Sequence, residues 1–460
     1  MVLVALAMFA IIGMAALSID IITLYLAREQ AQRSADQAAL AAARVISISG
    51  MTGDPNNSAT WGLICGGAGS PASLAAIAVA TQSEGGGTPT VTYSAGGAGS
   101  QDCSTVTGAF GVNPLVTVKI THSSLPTFFS RIWGNPGNSV SATATAEAFN
   151  PSASDINTDG GATGVVIPVQ PSCVKPLMVP NQDPWNPSSA CNTVGNPGCN
   201  PFVSLANGSI QSTGIRPTNP TGVIGESFTL VADCGPAAGS CKLATADPQP
   251  KANGTLEGAP SLEYVPGAAP PSSVAVPSCA AGNGNNAEFE PAVAGCDQST
   301  IYQCGVQSSL AANPNQVDLS ESPARPFPGD TANALACLMT NSTTLPLSGQ
   351  DTLDTTAYPY KIIAGSANPL GAGINGSTIT SSNSIISLPI YDPSTTIVDN
   401  GGTTSVTIVG FLQVFVNNIS DTDGSLQVTV LNVAGCGNNA STSGGVTGTS
   451  PVPVRLVTPP

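Results

Sequence analysis

Charged residues are scarce in this sequence. Only 8% of the 460 residues are Asp, Glu, Lys or Arg, whereas about 25% is typical of soluble domains. The 12 Lys and Arg residues are scattered along the chain among 27 Asp and Glu residues, and nucleic acid or anionic lipid is bound by clustered positive charge. The composition therefore argues against nucleic acid and acidic lipid as partners, and against an ordinary cytosolic enzyme.

Histidine is almost absent, which limits the chemistry open to the chain. The single histidine is His122, so neither a His-rich zinc site nor a hydrolase triad with spare histidines is available. No GxSxG occurs, and GAGING at 371–376, which satisfies GxGxxG, is followed by STITSS where a nucleotide-binding fold would begin a helix. We therefore expect no catalytic residue, no cofactor and a non-enzymatic protein.

Two acidic loops are the candidates for metal binding. DINTDG at 155–160 matches the first half of an EF-hand loop, with oxygen ligands from Asp155, Asn157 and Asp159. Position twelve is Val166 instead of the bidentate Glu, so a turn without metal is the favoured interpretation and a structural calcium ion the alternative. DLSES at 318–322 fits the DxSxS of an integrin-type site but lacks the buried apolar strand that should precede it.

Cysteines are frequent, and all twelve follow the first 64 residues: 65, 103, 173, 191, 199, 234, 241, 279, 296, 304, 337 and 436. No CxxC pair of the kind used by zinc sites is present. An even count on one side of an apolar segment fits disulfides formed outside the cytoplasm. Three close pairs have the spacing of small disulfide-closed loops: Cys191 with Cys199, Cys234 with Cys241, and Cys296 with Cys304. The sequence does not determine which cysteines are bonded to each other.

The N-terminus is the longest apolar run. Its first 19 residues carry no charge, close to the roughly 20 residues that an α-helix needs to cross the hydrocarbon core of a membrane. A cleaved signal peptide would end soon after the apolar run in small residues and then change in composition. Here helix-forming residues continue instead to about Ser47. We predict a transmembrane helix over 1–27 that continues as an α-helix over 28–46.

This helix raises two questions of packing. Small residues share one face of its second half: Ala31, Ala35, Ala38, Ala39 and Ala42. That face either lies on the chain's own C-terminal domain or receives partner helices. An acid within a membrane span is costly, so Asp20 either reaches water near the outer interface or pairs with a cation or main-chain amine of a neighbouring subunit.

The order of residues in this helix resembles a known family. Gly13, Asp20, Tyr25, Arg28 and Gln32, followed by SADQAALAAAR at 34–44, are similar to the N-terminal signature of TadE/TadG-like proteins of Tad (Flp-type) pilus assembly. Gln37 stands where the family more often has Ala. The segments PTFFSRIWG (126–134), CVKPLMVPN (173–181) and IVGFLQVFV (408–416) also look like stretches of long, TadG-like members.

The resemblance implies an assembly role for the N-terminal helix. Its candidate residues are Asp20, Tyr25, Arg28, Ala31, Ala35, Asp36, Ala38, Ala39, Leu40 and Ala42. The implied partners are other proteins of a Tad/Flp pilus system and the membrane, and the same helix could hold a homo-oligomer together.

The distribution of arginines conflicts with the expected topology. Arg28, Arg33 and Arg44 follow the span and no Lys or Arg precedes it, so the positive-inside rule would place the large domain in the cytoplasm. The cysteines and the low charge favour the outside. We expect an inner-membrane, single-pass protein with its C-terminal domain extracytoplasmic, and a native chain that starts a few codons upstream.

The remaining sequence predicts mainly β structure. A small α/β unit is expected over 47–150, with a helix at 71–83 and strands at 116–120 and 139–148 that alternate as half-buried strands do. A mainly-β, loop-rich domain rich in Pro, Gly and Asn is expected over 151–460. Within it, 405–416 and 425–433 are predicted to form an antiparallel hairpin.

These features together predict a membrane-anchored component of pilus assembly. Its helix would provide anchoring and subunit packing, and its β-rich domain would contact the envelope or the pilus. A minor pilin incorporated in the fibre is the nearest alternative. A calcium-dependent surface adhesin and a membrane-anchored hydrolase are the alternatives from other classes.

Overall fold

The structure is a computed structural model. It describes residues 2–83, 87–106, 108–111, 113–125, 137–150, 169–185, 200–205, 208–216, 218–232, 252–256, 259–268, 276–277, 279, 289–296, 302–305, 315–318, 328–393, 403–436, 446–448 and 450–457.

A long N-terminal helix precedes a part of the chain in which strands predominate. The helices are α1 (Val2–Ser49), α2 (Ser58–Cys65), α3 (Pro71–Ser83), α4 (Phe289–Ala294) and α5 (Pro328–Thr340). The strands are β1 (Thr88–Ser94), β2 (Leu115–Leu125), β3 (Asn138–Ala148), β4 (Val169–Pro171), β5 (Leu177–Pro180), β6 (Ser227–Ala232), β7 (Ala252–Leu256), β8 (Ala259–Pro266), β9 (Gln316–Asp318), β10 (Thr352–Asp354), β11 (Lys361–Ile363), β12 (Thr378–Ile379), β13 (Ile385–Tyr391), β14 (Thr403–Ser405), β15 (Ile408–Ile419), β16 (Leu426–Gly435), β17 (Val446–Gly448) and β18 (Val454–Val457). The predicted apolar helix and the β-rich, loop-rich remainder are confirmed.

Helix α1 runs without a break because no proline occurs in it and its one glycine is Gly13. It ends where Gly50 adopts a left-handed conformation, with φ of 73°, as is common just after a helix C-terminus. A side chain at residue 50 would also collide with its surroundings, since a Cβ there would lie 2.5 Å from the Leu431 carbonyl oxygen. Both constraints fix the end of the helix.

The first of two compact units comprises residues 1–46, 56–148 and 454–460. Its four-stranded antiparallel sheet has the order β1-β2-β3-β18. Alternate residues of β2 and β3 are buried, among them Val116, Val118 and Ile120, and Ala142 and Ala144, as expected for a sheet with one covered face. The helix and the two strands predicted at 71–83, 116–120 and 139–148 are confirmed; the predicted domain boundaries at 47 and 150 stay predictions.

A small aromatic core lies in this unit. Phe110 contacts Trp61 and Tyr93 edge to face, with ring centroids 5.7 and 6.2 Å apart. The Tyr93 hydroxyl lies 2.7 Å from the hydroxyl of Ser73 on α3. A disulfide between Cys65 and Cys103 joins the end of α2 to the loop after β1.

The second unit comprises residues 47–55 and 149–453. Its main sheet has the order β5-β13-β15-β16-β6-β8-β7, and β5 also pairs with β8. Six strands therefore form a closed ring of pairings, with β7 attached to β8. Closure leaves fewer unpaired strand edges, which would otherwise be open to other chains. The pairs β5–β13 and β6–β8 are parallel.

The predicted hairpin forms the centre of this sheet. Strands β15 and β16 pair antiparallel from Gly410↔Gly435 to Ile419↔Leu426, which confirms it. The GxGxxG segment at 371–376 contains a short 3₁₀ turn, Ala372–Ile374, and leads into β12, so it is a loop, as expected.

The disulfides of the second unit show a connectivity that the sequence left open. Cys296 bonds to Cys173, and Cys304 bonds to Cys436, so Cys296 and Cys304 do not close the small loop that their spacing allows. Strand pairing explains the difference, since Gly305 bonds to Ile408 while the Cys436 N–H donates to Val409, which places Cys304 and Cys436 at the same end of β15. Cys279 bonds to Cys337; Cys191, Cys199, Cys234 and Cys241 lie outside the described residues.

Candidate functional site: the N-terminal helix

The first half of α1 exposes apolar side chains. Leu3 is 82% exposed, and eight more large apolar residues up to residue 22 are more than half exposed: Val4, Met8, Ile11, Ile12, Met14, Leu17, Ile21 and Ile22. Among the described residues one helix is long and apolar enough to cross a membrane, and it is this one. A surface of this kind needs lipid or protein around it, because its contact with water is unfavourable.

The second half of α1 is buried within the first unit. The five residues of the alanine face, Ala31, Ala35, Ala38, Ala39 and Ala42, all have 0% exposure. The Ser34 hydroxyl donates to the Ala80 carbonyl of α3 at 3.3 Å. The Gln32 amide donates to the Thr143 carbonyl of β3 at 3.2 Å. The alanine face is therefore covered by α3 and the sheet of the same chain.

Small side chains on both sides allow this close packing. The buried residues of α3 include Ala72, Ser73, Ala76 and Ala80, and the covered face of β3 carries Ala142, Ala144, Ala146 and Ala148. Alanine facing alanine lets a helix approach a neighbour closely without leaving a void. Small side chains on β3 are compatible with the close approach of α1 that the Gln32–Thr143 hydrogen bond shows.

Asp20 is the acid of the apolar half, and it is buried. Its exposure is 6%, while its neighbours Ile19 and Ile21 are 49% and 57% exposed. Asp20 makes a further interaction in the structure, and its backbone carbonyl accepts a hydrogen bond from the Thr23 hydroxyl at 2.9 Å. Asp20 is therefore little exposed at the helix surface.

The other residues of the family signature divide between surface and interior. Tyr25 is 70% exposed, and Arg28 is exposed as well. Asp36 accepts a hydrogen bond from Gln32 at 2.8 Å, and Leu40 is half-buried. On the exposed side, Arg33 pairs with Glu29 at 2.6 Å, the i,i+4 arrangement expected of a helix surface.

The remaining candidates from the sequence are not assembled into a site within the residues that the structure describes. Asp155, Asn157 and Asp159 lie outside the described residues. Asp318 ends β9, which pairs with β14, and the rest of DLSES is not described. His122 is half-buried on β2 opposite Val140. Within the described part of the chain, no group of three or more His, Cys, Asp or Glu side chains could hold a metal ion.

Buried charges in the second unit were not anticipated from sequence. Lys175 is 4% exposed, and its ammonium group donates to the Gly295 carbonyl. Burial lowers the pKa of Lys175 to about 7. Asp183 and Glu226 are both 0% exposed. Each stands alone among neutral residues in the sequence, so no local pattern could have placed them in the interior.

An exposed apolar N-terminal helix before a disulfide-bonded, β-rich part is the arrangement expected of a membrane-anchored protein. Residues 1–45 match a family model, Tad, described as putative Flp pilus-assembly TadE/G-like. The match confirms the resemblance of the N-terminal segment and supports a role related to pilus assembly. No curated protein and no solved structure gives a significant match.

Proposed function

We propose that this chain is a non-enzymatic, membrane-anchored component of a Tad/Flp-type pilus-assembly system. The apolar first half of α1 anchors it in the inner membrane, and the β-rich part contacts the envelope or the pilus. The observation that carries the proposal is the change along one helix from exposed apolar residues, as at Ile12, to fully buried alanines from Ala31 onwards. The match of residues 1–45 supports it.

Contacts with other subunits fall to the exposed part of the helix. The alanine face is already covered within the first unit, so a homo-oligomer or a contact with another Tad/Flp protein would use the apolar half together with Tyr25 and Arg28. Tyr25 is suited to this position because an aromatic ring with a polar tip is favoured where a membrane meets water.

Extracytoplasmic placement of the β-rich part is supported by its cysteines. Four disulfides join described residues: Cys65–Cys103, Cys173–Cys296, Cys279–Cys337 and Cys304–Cys436. Such bonds persist in oxidising compartments and are rare in the cytosol. This consideration outweighs the arginines after the span, one of which, Arg33, is paired with Glu29.

The test is the location of the native protein. Cells are separated into cytoplasm, inner membrane, outer membrane and sheared fibres, and protease is added to spheroplasts. Recovery in the inner membrane with digestion from outside is the expected result. Recovery in the sheared fibres would instead support a minor pilin, whose exposed apolar helix would pack against other subunits. A domain that resists protease until the spheroplasts lyse would overturn the topology.

A matched pair of variants tests the anchor itself. Ile12→Arg places a charge in the exposed apolar half, where insertion becomes less favourable by about 3–4 kcal/mol, and should shift protein out of the membrane fraction. Gln30→Arg adds the same charge to an exposed position beyond the span and should leave fractionation unchanged. Equal behaviour of the two variants would contradict anchoring by this helix.

A further inference from the structure

The second unit has an open pocket whose wall is polar and uncharged. Its volume is about 450 Å³, within the range of about 300–1,000 Å³ that ligand pockets occupy. Amide, hydroxyl and proline side chains line it, and none of them is ionisable: Asn200, Pro201, Gln211, Ser212, Thr213 and Thr221. Amides and hydroxyls both donate and accept hydrogen bonds, so the lining suits a neutral ligand that does the same.

Backbone hydrogen bonds hold together the three chain segments that supply this wall. The Gln211 N–H donates to the Phe202 carbonyl at 3.0 Å, which connects the first segment with the second. The Val223 N–H donates to the Ser212 carbonyl at 2.9 Å, which connects the second with the third. The pocket is therefore preformed, and a ligand that enters it does not have to order its wall.

Two side chains of the wall keep hydrogen-bonding groups for a ligand. Gln211 and Thr213 are both exposed. Gln211 donates through Nε2 to the carbonyl and the hydroxyl of Ser209, at 3.4 and 3.3 Å. Within the described part of the chain, Gln211 Oε1 and the Thr213 hydroxyl have no hydrogen-bond partner, so a ligand meets them with no internal bond to break.

An exposed aromatic ring stands beside the pocket. Trp185 is 41% exposed, and outside α1 it is the one exposed aromatic side chain among the described residues. Its indole N–H donates to the Ser227 carbonyl at 2.9 Å, and Arg216 Cζ lies 4.6 Å from the centroid of the ring. A ring fixed in this way offers apolar contact area at a low cost in conformational entropy.

Two residues connect this ring to the pocket wall. One carboxyl oxygen of Asp183 accepts a hydrogen bond from the Trp185 backbone N–H at 2.9 Å, and the other lies 3.4 Å from the Ser212 hydroxyl. Arg216, which lies over the ring, donates from Nε to the Gly222 carbonyl of the third wall segment at 2.9 Å. The ring and the wall are therefore neighbours in one rigid arrangement.

A saccharide has the two kinds of surface that this arrangement can bind. The C–H face of a sugar ring is apolar and stacks on an aromatic ring, while its hydroxyls donate and accept hydrogen bonds. An acidic saccharide would need a cation, and no side chain that lines the pocket carries a positive charge. The nearby Arg216 is already paired with Glu226 at 3.1 Å.

We propose that the pocket and Trp185 form a binding site for a neutral oligosaccharide. One sugar ring stacks on Trp185, and hydroxyls of the chain bond to Gln211 and Thr213 inside the pocket. The proposal adds a ligand to the second unit, and it depends neither on anchoring in the membrane nor on pilus assembly.

The test measures binding of two neutral probes, maltotriose and chitotriose, to the full chain in a detergent without a sugar head group. Saturation-transfer NMR detects contact, and titration calorimetry gives the Kd. At least one probe should bind. Trp185→Ala should raise its Kd about tenfold or more, and Gln211→Leu and Thr213→Val should each raise it about two- to tenfold. Thr380→Val is the matched control, because Thr380 is exposed and is not part of the pocket wall; its Kd should equal that of the wild type.

Thermal unfolding of every variant keeps the test decisive. Trp185→Ala also loses the hydrogen bond to Ser227, and if it does not fold, the two variants at the exposed positions 211 and 213 decide the outcome. Failure of both neutral probes to bind the wild type would overturn the proposal. So would binding that the pocket variants leave unchanged, or tighter binding of trigalacturonic acid or of a neutral Gly-Ser peptide, since these would indicate another site, an acidic saccharide or a protein ligand.

Discussion

The Ser34 hydroxyl of α1 donates a hydrogen bond to the Ala80 carbonyl of α3, and both residues are buried. This contact ties the second half of the N-terminal helix to the chain's own first unit. The helix therefore has two parts with separate physical roles. Its first half exposes apolar side chains, and its alanine face belongs to the core of the first unit.

Enlarging the alanine face should destabilise the first unit. Ala35 is fully buried, so Ala35→Leu forces added methylene and methyl groups into a packed interface and should cost about 1–3 kcal/mol. The measurement is thermal unfolding of the full chain in detergent, monitored by circular dichroism.

Gln30→Leu is the control, because residue 30 is exposed on the same helix. Gln30→Leu should unfold at the same temperature as the wild type. If Ala35→Leu also unfolded at the wild-type temperature but failed to support pilus assembly, the alanine face would serve partner helices after all.

Removal of the C-terminal strand should loosen the same unit. Strand β18 pairs with β3 from Val454↔Ala148 to Val457↔Thr145, and Arg455 Nε lies 2.7 Å from Glu147 Oε2. Deletion of residues 454–460 leaves the β3 edge unpaired and the largely buried Glu147 without its cation. Faster proteolysis of the first unit and a lower Tm are the expected results.

The matched substitution Arg455→Met separates the strand from its ion pair. The Arg455 side chain is 42% exposed and that of Glu147 only 10%, so the substitution leaves a largely buried carboxylate without its cation but keeps β18 paired with β3. The variant should therefore lose less stability than the deletion, which removes both. Equal losses would mean that the ion pair, and not strand pairing, attaches the C-terminus.

Local patterns in the sequence predicted the local elements of the fold. The apolar run and the alanines predicted α1, and the alternation around Val118 and Ala144 predicted strands, because these signals depend on neighbours two to four residues away. Pairings between distant segments carry no such signal. The partner of Cys304 and the pairing of β18 with β3 were missed for that reason.

The buried acids were missed for a different reason. Asp183 and Glu226 look like ordinary loop residues, and only the tertiary fold places both of them in the interior. The family signature predicted α1 residues of interest, but it could not show that Ala31 to Ala42 face inward, since a small-residue face packs equally well on a partner or on the same chain.

Loss of a long-range disulfide should destabilise the second unit. The bond between Cys304 and Cys436 closes a segment with a sequence separation of 132. Replacing both cysteines with serine should lower the free energy of unfolding by about 2–5 kcal/mol. The measurement is chemical denaturation of the oxidised full chain in detergent.

The corresponding double serine variant of Cys65 and Cys103 provides the comparison within the first unit, where the separation is 38. Its unfolding should affect the Trp61 environment, because Trp61 lies in α2 beside this bond. A Cys304 and Cys436 variant as stable as the wild type would show that strand pairing alone holds that end of β15.

Lys175 should make the second unit more stable as the pH rises above neutrality. Burial lowers its pKa from 10.5 to about 7, so between these values the unfolded chain binds a proton that the folded chain does not. The stability that Lys175 contributes is fully present above pH 10.5 and is lost as the pH falls through about 7, by about 1.4 kcal/mol per pH unit over the interval.

Lys175→Met removes this dependence. The wild type should therefore gain stability relative to the variant between pH 7 and 9, measured as the difference between the free energies of unfolding of the two proteins. Lys361→Met is the control, since Lys361 is exposed at the start of β11, and its curve should run parallel to the wild type. A Lys175→Met curve that also ran parallel would mean that the ammonium group is hydrated in the folded chain.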